Sequence, residues 1–418
     1  MSGTGRIETL QNMTRRYFCT YFDRNYITRG LALYHSLVES CPGPFTLWIL
    51  CLDAETLACL THLQLPNAAL MALDEIESAY PALARVQATR SQVEYYWTCT
   101  PFLPDYILRQ HPDVDVITYL DADLYFFGDP APIYTELGQG SILIGEHRYT
   151  PEHAYLAETS GIFNVGLLIF RQDERSRLCL GWWQDRCLEW CYQRYEDGKF
   201  GDQKYLDDWP ARFEGVVVLQ HKGAGLAPWN VARYRLKRTR DGVMVDSQRL
   251  IFYHYHSYRP VAEYLAQPGH SDYRLSWEVL TMVYLPYAAA LARAHDHLRS
   301  AGYQETGCDA PAKLSSAEIA HGVLAAQWLL LRPAPLGMLL WRIGTARRDA
   351  QQLADCGFDA YAAGDLPAAA TLLRSALLRN PTLLLNPGIV SIVLENWVGS
   401  DKMTRYRSWR HAESARDG

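Results

Sequence analysis

Short, uninterrupted apolar runs separated by stretches of helical spacing constrain this chain more than any other feature. Phe45-Thr-Leu-Trp-Ile-Leu-Cys51, Val116-Ile-Thr-Tyr-Leu120, Val165-Gly-Leu-Leu-Ile-Phe170 and Val216-Val-Val-Leu219 show no strict apolar–polar alternation. A strand with water on one face alternates, whereas a strand covered on both faces does not. Tyr17-Phe-Cys-Thr-Tyr21 and Ser141-Ile-Leu-Ile-Gly145 read as further strands. Between Tyr17–Tyr21 and Phe45–Cys51, Leu31, Leu33, Tyr34, Leu37 and Val38 fall at helical spacing within residues 28–38. Up to about residue 260 the pattern predicts an α/β sheet covered by helices on both faces. Ligands of such sheets bind beyond the carboxyl ends of strands, and Asp23 and Asp121 lie at two of those ends.

Asp121-Ala122-Asp123 is the most pointed of these strand ends, with apolar sequence on both sides from Val116 to Phe127. Two carboxylates one residue apart can leave the sheet together and hold one divalent cation. Such a cation can bridge a diphosphate and neutralise charge on a departing nucleotide. A solvated turn is the plainer reading of the triplet. The apolar flanks weigh against it, because burying two unpaired carboxylates is costly without a cation or partners.

Five segments, taken in order, resemble the GT-A nucleotide-sugar glycosyltransferases, most nearly glycosyltransferase family 8. They are Thr20-Tyr-Phe-Asp-Arg-Asn-Tyr26, Asp121-Ala-Asp123, Phe163-Asn-Val-Gly166, Gly201-Asp-Gln-Lys-Tyr-Leu-Asp207 and Ile251-Phe-Tyr-His-Tyr-His256. The resemblance covers roughly residues 15–260. It implies a Rossmann-like mixed sheet and a metal-dependent transfer of a sugar from a nucleotide diphosphate, with UDP-sugar favoured, to a hydroxyl. By the same resemblance Thr20, Asp23, Asn25 and Tyr26 would contact base and ribose. Asp121, Asp123 and His254 would hold Mn²⁺ or Mg²⁺, with Ala122 beside them. Asn164 would bind sugar hydroxyls, and Gly166 would permit close backbone approach. Gln203 would lie near the anomeric carbon and Asp202 would bind donor hydroxyls, giving a retaining, hexosyltransferase-like outcome. His256 falls on the same side of its strand as His254, since residues two apart share a face.

The chain departs from that pattern in two places. Trp97 stands where an arginine is common, and Arg90 is a candidate substitute. The late histidine–lysine segment is reduced to His254-Tyr-His-Ser-Tyr-Arg-Pro260, in which Arg259 could reach a pyrophosphate bidentately. Trp229, in Gly223-Ala-Gly-Leu-Ala-Pro-Trp-Asn230, could stack on a sugar. An inverting route stays open and would need a carboxylate base, for which Asp202, Asp207 and Asp208 are the candidates. A sugar nucleotidyltransferase is a rival, but the Gly-rich basic loop it needs after the first strand is missing. A non-catalytic interaction protein is the rival outside enzymes.

The 418 residues exceed what one core usually holds, so residues 1–265 read as the catalytic domain and residues 266–418 as a helical region. Helices are expected at residues 275–298 and 316–331. Residues 349–381 carry one tetratricopeptide-like pair, with Gly357, Gly364, Ala369, Leu373, Ala376 and Pro381 near the required positions. A plain helical hairpin fits the same spacing. A net charge of −6 and no long Lys/Arg run argue against a nucleic-acid partner. The ten cysteines form no Cys-x-x-Cys pair, which favours buried free thiols over a zinc site. The first residues have no apolar core of a signal peptide, and no apolar run reaches about 18 residues, so a cytoplasmic protein is expected. The basic, aromatic stretch at 405–410 allows peripheral contact with the inner membrane face. Glycan, lipid-linked and protein acceptors are all compatible with these features.

Overall fold

The computed structural model describes residues 15–262, 265–269, 273, 275–303, 329–330 and 335–398. The chain divides into two compact units, each discontinuous in sequence. The first comprises Met1–Arg259 with Asp272–Ala310, the second Pro260–Ser271 with Pro311–Gly418.

The first unit is built on a mixed seven-stranded sheet, as the apolar runs require. Its strands are β1 (Arg16–Phe22), β2 (Phe45–Cys51), β3 (Ala68–Ala72), β4 (Val116–Leu120), β6 (Ile142–Glu146), β7 (Phe163–Arg171) and β8 (Val216–Val218); β5 (Leu124–Phe126) lies outside it. Their spatial order is β3-β2-β1-β4-β7-β6-β8. The first four run parallel, β7 runs against both β4 and β6, and β8 is parallel to β6. Successive side chains enter different cores. Phe18, Leu47 and Ile49 face one, while Cys19, Trp48 and Leu50 face the other. Both faces are covered, which is why the runs carry no alternation.

The first core is roofed by helix α1 (Ile27–Ser40), which leaves β1 through the turn Arg24–Tyr26. Asp23 opens that turn and its carboxylate accepts from the Asn25 N–H. Helix α2 (Gln92–Cys99) starts from a Ser91–Glu94 capping box and contributes to the second core. So does helix α3 (Glu174–Glu189), capped by Asp173. Helix α4 (Leu285–Ser300) packs on α1, placing the rings of His35 and His297 5.8 Å apart. Beside the main sheet, β5 pairs with a strand, Phe252–His254, that follows a small antiparallel meander over residues 236–249.

In the second unit a long helix, Pro335–Ala362, and a shorter one, Leu366–Arg379, close on small residues. Ala350, Ala354, Ala369 and Ala376 are fully buried with Leu373. A Cβ on Gly357 would lie 2.7 Å from Leu373 Cγ, so the close approach requires glycine there. Leu366–Arg379 ends before Pro381, and a third helix, Pro387–Val398, adds Ile389 and Ile392 to this core. Most of the helix expected at 316–331 lies outside the described residues, as does the stretch 405–410. Its two described residues, Leu329 and Leu330, form a strand instead, paired with the edge of Leu265–Gln267. Among the described residues no helix is long and apolar enough to cross a membrane, and nine cysteines are free, with only Cys356 exposed.

The seat of α1 on β1 is tight. A Cβ on Gly30 would come within 2.3 Å of the buried Phe22 ring. Gly30→Ala gains helix propensity of about 1 kcal/mol but overpacks this contact by about 1–3 kcal/mol. A net loss of stability in urea unfolding is expected, and an unchanged or raised midpoint would contradict the packing described.

Candidate metal centre

Two backbone pairings assemble the site. At the end of β4 the Asp121 N–H donates to the Gly166 carbonyl at 2.9 Å, and Leu120 lies opposite Leu167 on β7. The chain turns at Asp121-Ala-Asp123, with the Leu124 N–H on the Asp121 carbonyl, and continues as β5. There Leu124 pairs with His254, and the Tyr255 N–H donates to the Asp123 carbonyl at 3.0 Å. A late histidine is thereby fixed beside an early acidic pair.

The side chains converge. His254 Nε2 lies 3.1 Å from Asp123 Oδ1 and 3.7 Å from Asp121 Oδ2, and one donor atom from each of the three residues lies within 4.8 Å of the others. Donors bound octahedrally at about 2.1 Å sit roughly 3 Å apart, so these residues fit one small divalent cation. The His254 side chain is 6% exposed and that of Asp121 27%, which leaves an approach from the acidic side. Burial pushes the Asp121 carboxyl above its ordinary value; Asp123 adds to this and His254 opposes it. Burial acts on Asp123 the same way, but His254 outweighs it and holds that carboxyl below its ordinary value. Burial disfavours charge on His254, yet the two carboxylates raise its pKa. Two crowded carboxylates drawing in a positive charge is the electrostatics of a cation site.

A second layer holds the first. The Tyr119 hydroxyl donates to Asp121 Oδ1 at 2.8 Å. Asn164 lies between His254 and Gln203: its Oδ1 is 3.2 Å from His254 Nδ1, and its Nδ2 donates to Gln203 Oε1 at 2.9 Å. Gln203 Nε2 in turn donates to the Ser160 carbonyl at 2.7 Å. Gly166 serves a purpose other than close ligand approach. A Cβ there would lie 2.6 Å from Asn164 Oδ1 and 2.8 Å from His254 Nδ1, so glycine makes room for that pair. Asp202 is buried, and burial pushes its carboxyl up to about 7, with Thr100 opposing by a hydrogen bond and Asp121 adding to the rise. Thr100 also contacts the Tyr21 hydroxyl at 3.0 Å.

The remaining sequence candidates fall in different places. Thr20 is wholly buried within β1, so its side chain is closed off from a ligand. The Asp23 carboxylate accepts from Asn25 Nδ2 at 2.9 Å, Tyr96 Oη at 3.3 Å and Gln92 Nε2 at 3.5 Å. Tyr26 is 40% exposed, with the buried Arg29 guanidinium 4.4 Å from its ring centre. Arg90 is committed elsewhere, lying over the Tyr192 ring and donating to the Leu188 carbonyl at 3.2 Å. Trp229 is 5% exposed and meets His147, His254 and His256 edge-on at 5.1–5.5 Å, so it braces imidazoles and has no open face for a sugar. Ala122 is buried, whereas His256 and Arg259 are exposed.

Sequence reasoning missed Tyr119, His147, Gln92, Tyr96 and Arg29. Tyr119 carried a signal, since it stands two residues before Asp121 on one strand. His147, one residue beyond β6, is buried and stacked on Tyr149 at 4.6 Å. A cleft beside the centre is lined by Glu146, Arg148, Asn164, Trp229 and His254.

Burial pushes the His147 imidazole down to about 3 from an ordinary value of 6.5. Between these values the unfolded chain binds a proton that the folded chain refuses, so stability falls as pH drops below about 6.5. His147→Gln removes this dependence. The stability advantage of wild type over the variant should shrink by about 1.4 kcal/mol per unit of pH below about 6, read by urea melts at pH 7, 6 and 5. Parallel courses for the two proteins would contradict a neutral, buried His147.

No family model matches the chain. It is similar to two uncharacterized proteins of Bacillus subtilis strain 168. YfnD is 29% identical over 298 residues, covering 69% of this chain and 93% of YfnD. YfnF is 33% identical over 259 residues, covering 60% of this chain and 84% of YfnF. Among solved structures, the galactosyltransferase LgtC in complex with donor and acceptor sugar analogs superposes with a TM-score of 0.40 at 16% identity, covering 69% of this chain and 96% of LgtC. Mouse xyloside xylosyltransferase 1 superposes with a TM-score of 0.39 at 13% identity, covering 58% and 97%.

Proposed function

This chain belongs to the family of Bacillus subtilis YfnF, and on the geometry of its site we propose that it is a metal-dependent glycosyltransferase of the GT-A type. It moves a sugar from a nucleotide-diphosphate donor, UDP-sugar favoured, to a hydroxyl of a glycan, lipid-linked or protein acceptor. One observation carries this reading. Asp121, Asp123 and His254, far apart in sequence, aim ligand atoms at one point at the end of β4, two hydrogen bonds from Gln203.

Asp121, Asp123 and His254 would hold Mn²⁺ or Mg²⁺, which when bound supplies positive charge to the diphosphate of the leaving group. Tyr119 and Asn164 keep those ligands in place. Asp23, with Asn25, Gln92 and Tyr96 around it, offers a carboxylate acceptor to a base N–H, and the exposed Tyr26 ring offers a stacking face. Gln203, gripped by Asn164 and Ser160, would lie near the sugar carbon. The retaining outcome we propose rests on the resemblance of the Gly201–Asp207 segment to the retaining enzymes. For an inverting outcome Asp202 is the base the geometry favours. Asp207 is held by Lys204 at 2.7 Å and Asp208 by Arg212, whereas the Asp202 carboxyl takes up a proton near pH 7. The anomeric configuration of the product separates the two. Acceptor selection falls to the C-terminal helices, including the tetratricopeptide-like pair at 349–381.

A panel of nucleotide sugars incubated with the full chain and Mn²⁺, Mg²⁺ or EDTA tests the proposal. One donor should be turned over only with metal. Asp123→Asn, which removes one ligand charge and keeps shape, should lower turnover by about 10²–10³-fold. Turnover of no donor with either metal, or near-normal turnover by the folded variant, would contradict it. Formation of a nucleotide sugar from a sugar phosphate and a nucleoside triphosphate would point to the nucleotidyltransferase instead.

A further inference from the structure

We infer that Asn164 is a positioning residue whose carboxamide fixes the proton of His254 on Nδ1, so that a bare Nε2 faces Asp121 and Asp123. The inference rests on the metal reading above and deepens it.

The assignment follows from backbone groups whose polarity is not in question. The Gly166 N–H can only donate, and it lies 3.0 Å from one end of the Asn164 amide, so that end is Oδ1. The Ser160 carbonyl can only accept, and it lies 2.7 Å from one end of the Gln203 amide, so that end is Nε2. Gln203 Oε1 then faces Asn164 Nδ2 at 2.9 Å, donor to acceptor, as the Gly166 contact independently requires. The two anchors agree. Asn164 Oδ1 also faces His254 Nδ1 at 3.2 Å. An amide oxygen cannot donate, so the imidazole must, and Nδ1 carries the hydrogen. His147 closes the network. Its Nδ1 faces the Ile162 carbonyl at 3.3 Å and its Nε2 faces Asn164 Nδ2 at 3.4 Å, so it is neutral and accepts from the amide.

The consequence at the centre is specific. With hydrogen on Nδ1, the neutral His254 ring directs a lone pair at Asp123 Oδ1 and Asp121 Oδ2. Three acceptors then meet with no donor among them, which is stable only around a cation or a proton. Hydrogen bonding at the far nitrogen also raises the basicity of the ligating one. Each end of Asn164 has its own task. Oδ1 sets the metal ligand, and Nδ2 sets Gln203. Gly166 is the companion requirement, because any side chain there would occupy the space of the Asn164–His254 bond.

The two ends can be tested separately with the full-length chain. Mn²⁺ affinity is measured by electron paramagnetic resonance titration of free Mn²⁺, with circular dichroism to establish folding. Asn164→Ala should weaken Mn²⁺ binding about 10–100-fold, the usual effect of removing a residue that orients a metal-bound histidine. Asn164→Asp keeps an acceptor for His254 Nδ1–H, so it should bind Mn²⁺ at least as tightly as wild type. It offers Gln203 Oε1 no donor, so sugar transfer should still be impaired. Wild-type affinity in Asn164→Ala, or equal weakening in both folded variants, would overturn the inference. If Asn164→Ala does not fold, Asn164→Asp and the wild-type spectrum decide. In the Mg²⁺-loaded protein, the ¹⁵N–¹H correlation of His254, assigned by its loss in His254→Asn, must place the proton on Nδ1; a proton on Nε2 overturns it. Failure of the metal reading itself looks different, for then wild type binds no Mn²⁺ or Asp123→Asn binds it undiminished.

Discussion

Everything in the site depends on the pairing of Leu124 with His254 across two three-residue strands. Such a short ladder has few hydrogen bonds of its own. It is held because β5 continues directly from a turn anchored to the main sheet, where the Asp121 N–H meets the Gly166 carbonyl. On the other side the His254 N–H donates to the Leu226 carbonyl at 2.7 Å and the Ile251 N–H to the Gly223 carbonyl at 2.7 Å. A one-residue slip would send His254 to the opposite face and leave two carboxylates crowded without an imidazole.

That geometry explains why so many uncommon residues gather behind the centre. Crowded carboxylates are unfavourable in a buried setting unless positive charge sits between them. The surrounding polar groups are therefore arranged to accept or donate in one sense only. Tyr119 donates to Asp121, Asn164 accepts from His254, and Ser160 fixes Gln203. Buried networks of this kind stabilise a structure only when nearly every member is satisfied. All four hydrogen-bonding positions of the Asn164 side chain are used, by Gly166, His254, Gln203 and His147. Trp229 fills the remaining space among three histidine rings.

Much of the sheet was legible from the uninterrupted apolar runs. Phe45–Cys51 and Val116–Leu120 are strands at the residues their apolar runs span, because burial on both faces leaves an unmistakable pattern. Ala68–Ala72 was not legible, since alanine has little strand preference and the run contains no β-branched or aromatic residue. The two aspartates and His254 could be read as candidates from residue type at strand ends. The parts contributed by Ser160 and Gly166 could not, because the backbone carbonyl of Ser160 is one every residue carries and the space at Gly166 is taken by the contact of Asn164 with the sequence-distant His254. Trp229 shows the converse. Its presence in a loop near the centre was visible, but only packing reveals that it is buried edge-on among imidazoles. Likewise Arg90 was a reasonable cation from its position before α2, yet its guanidinium is drawn to Tyr192 and the end of α3.

The claim on which the account stands is that one divalent cation occupies the point where Asp121, Asp123 and His254 converge. Anomalous diffraction from crystals of the full chain grown with MnCl₂ and UDP tests it most directly. The account predicts a single strong manganese peak bound at about 2.1 Å by an oxygen of each aspartate and by Nε2 of His254. A well-ordered cleft with no peak at that point, or manganese held by other residues while these three remain in direct contact, would contradict it.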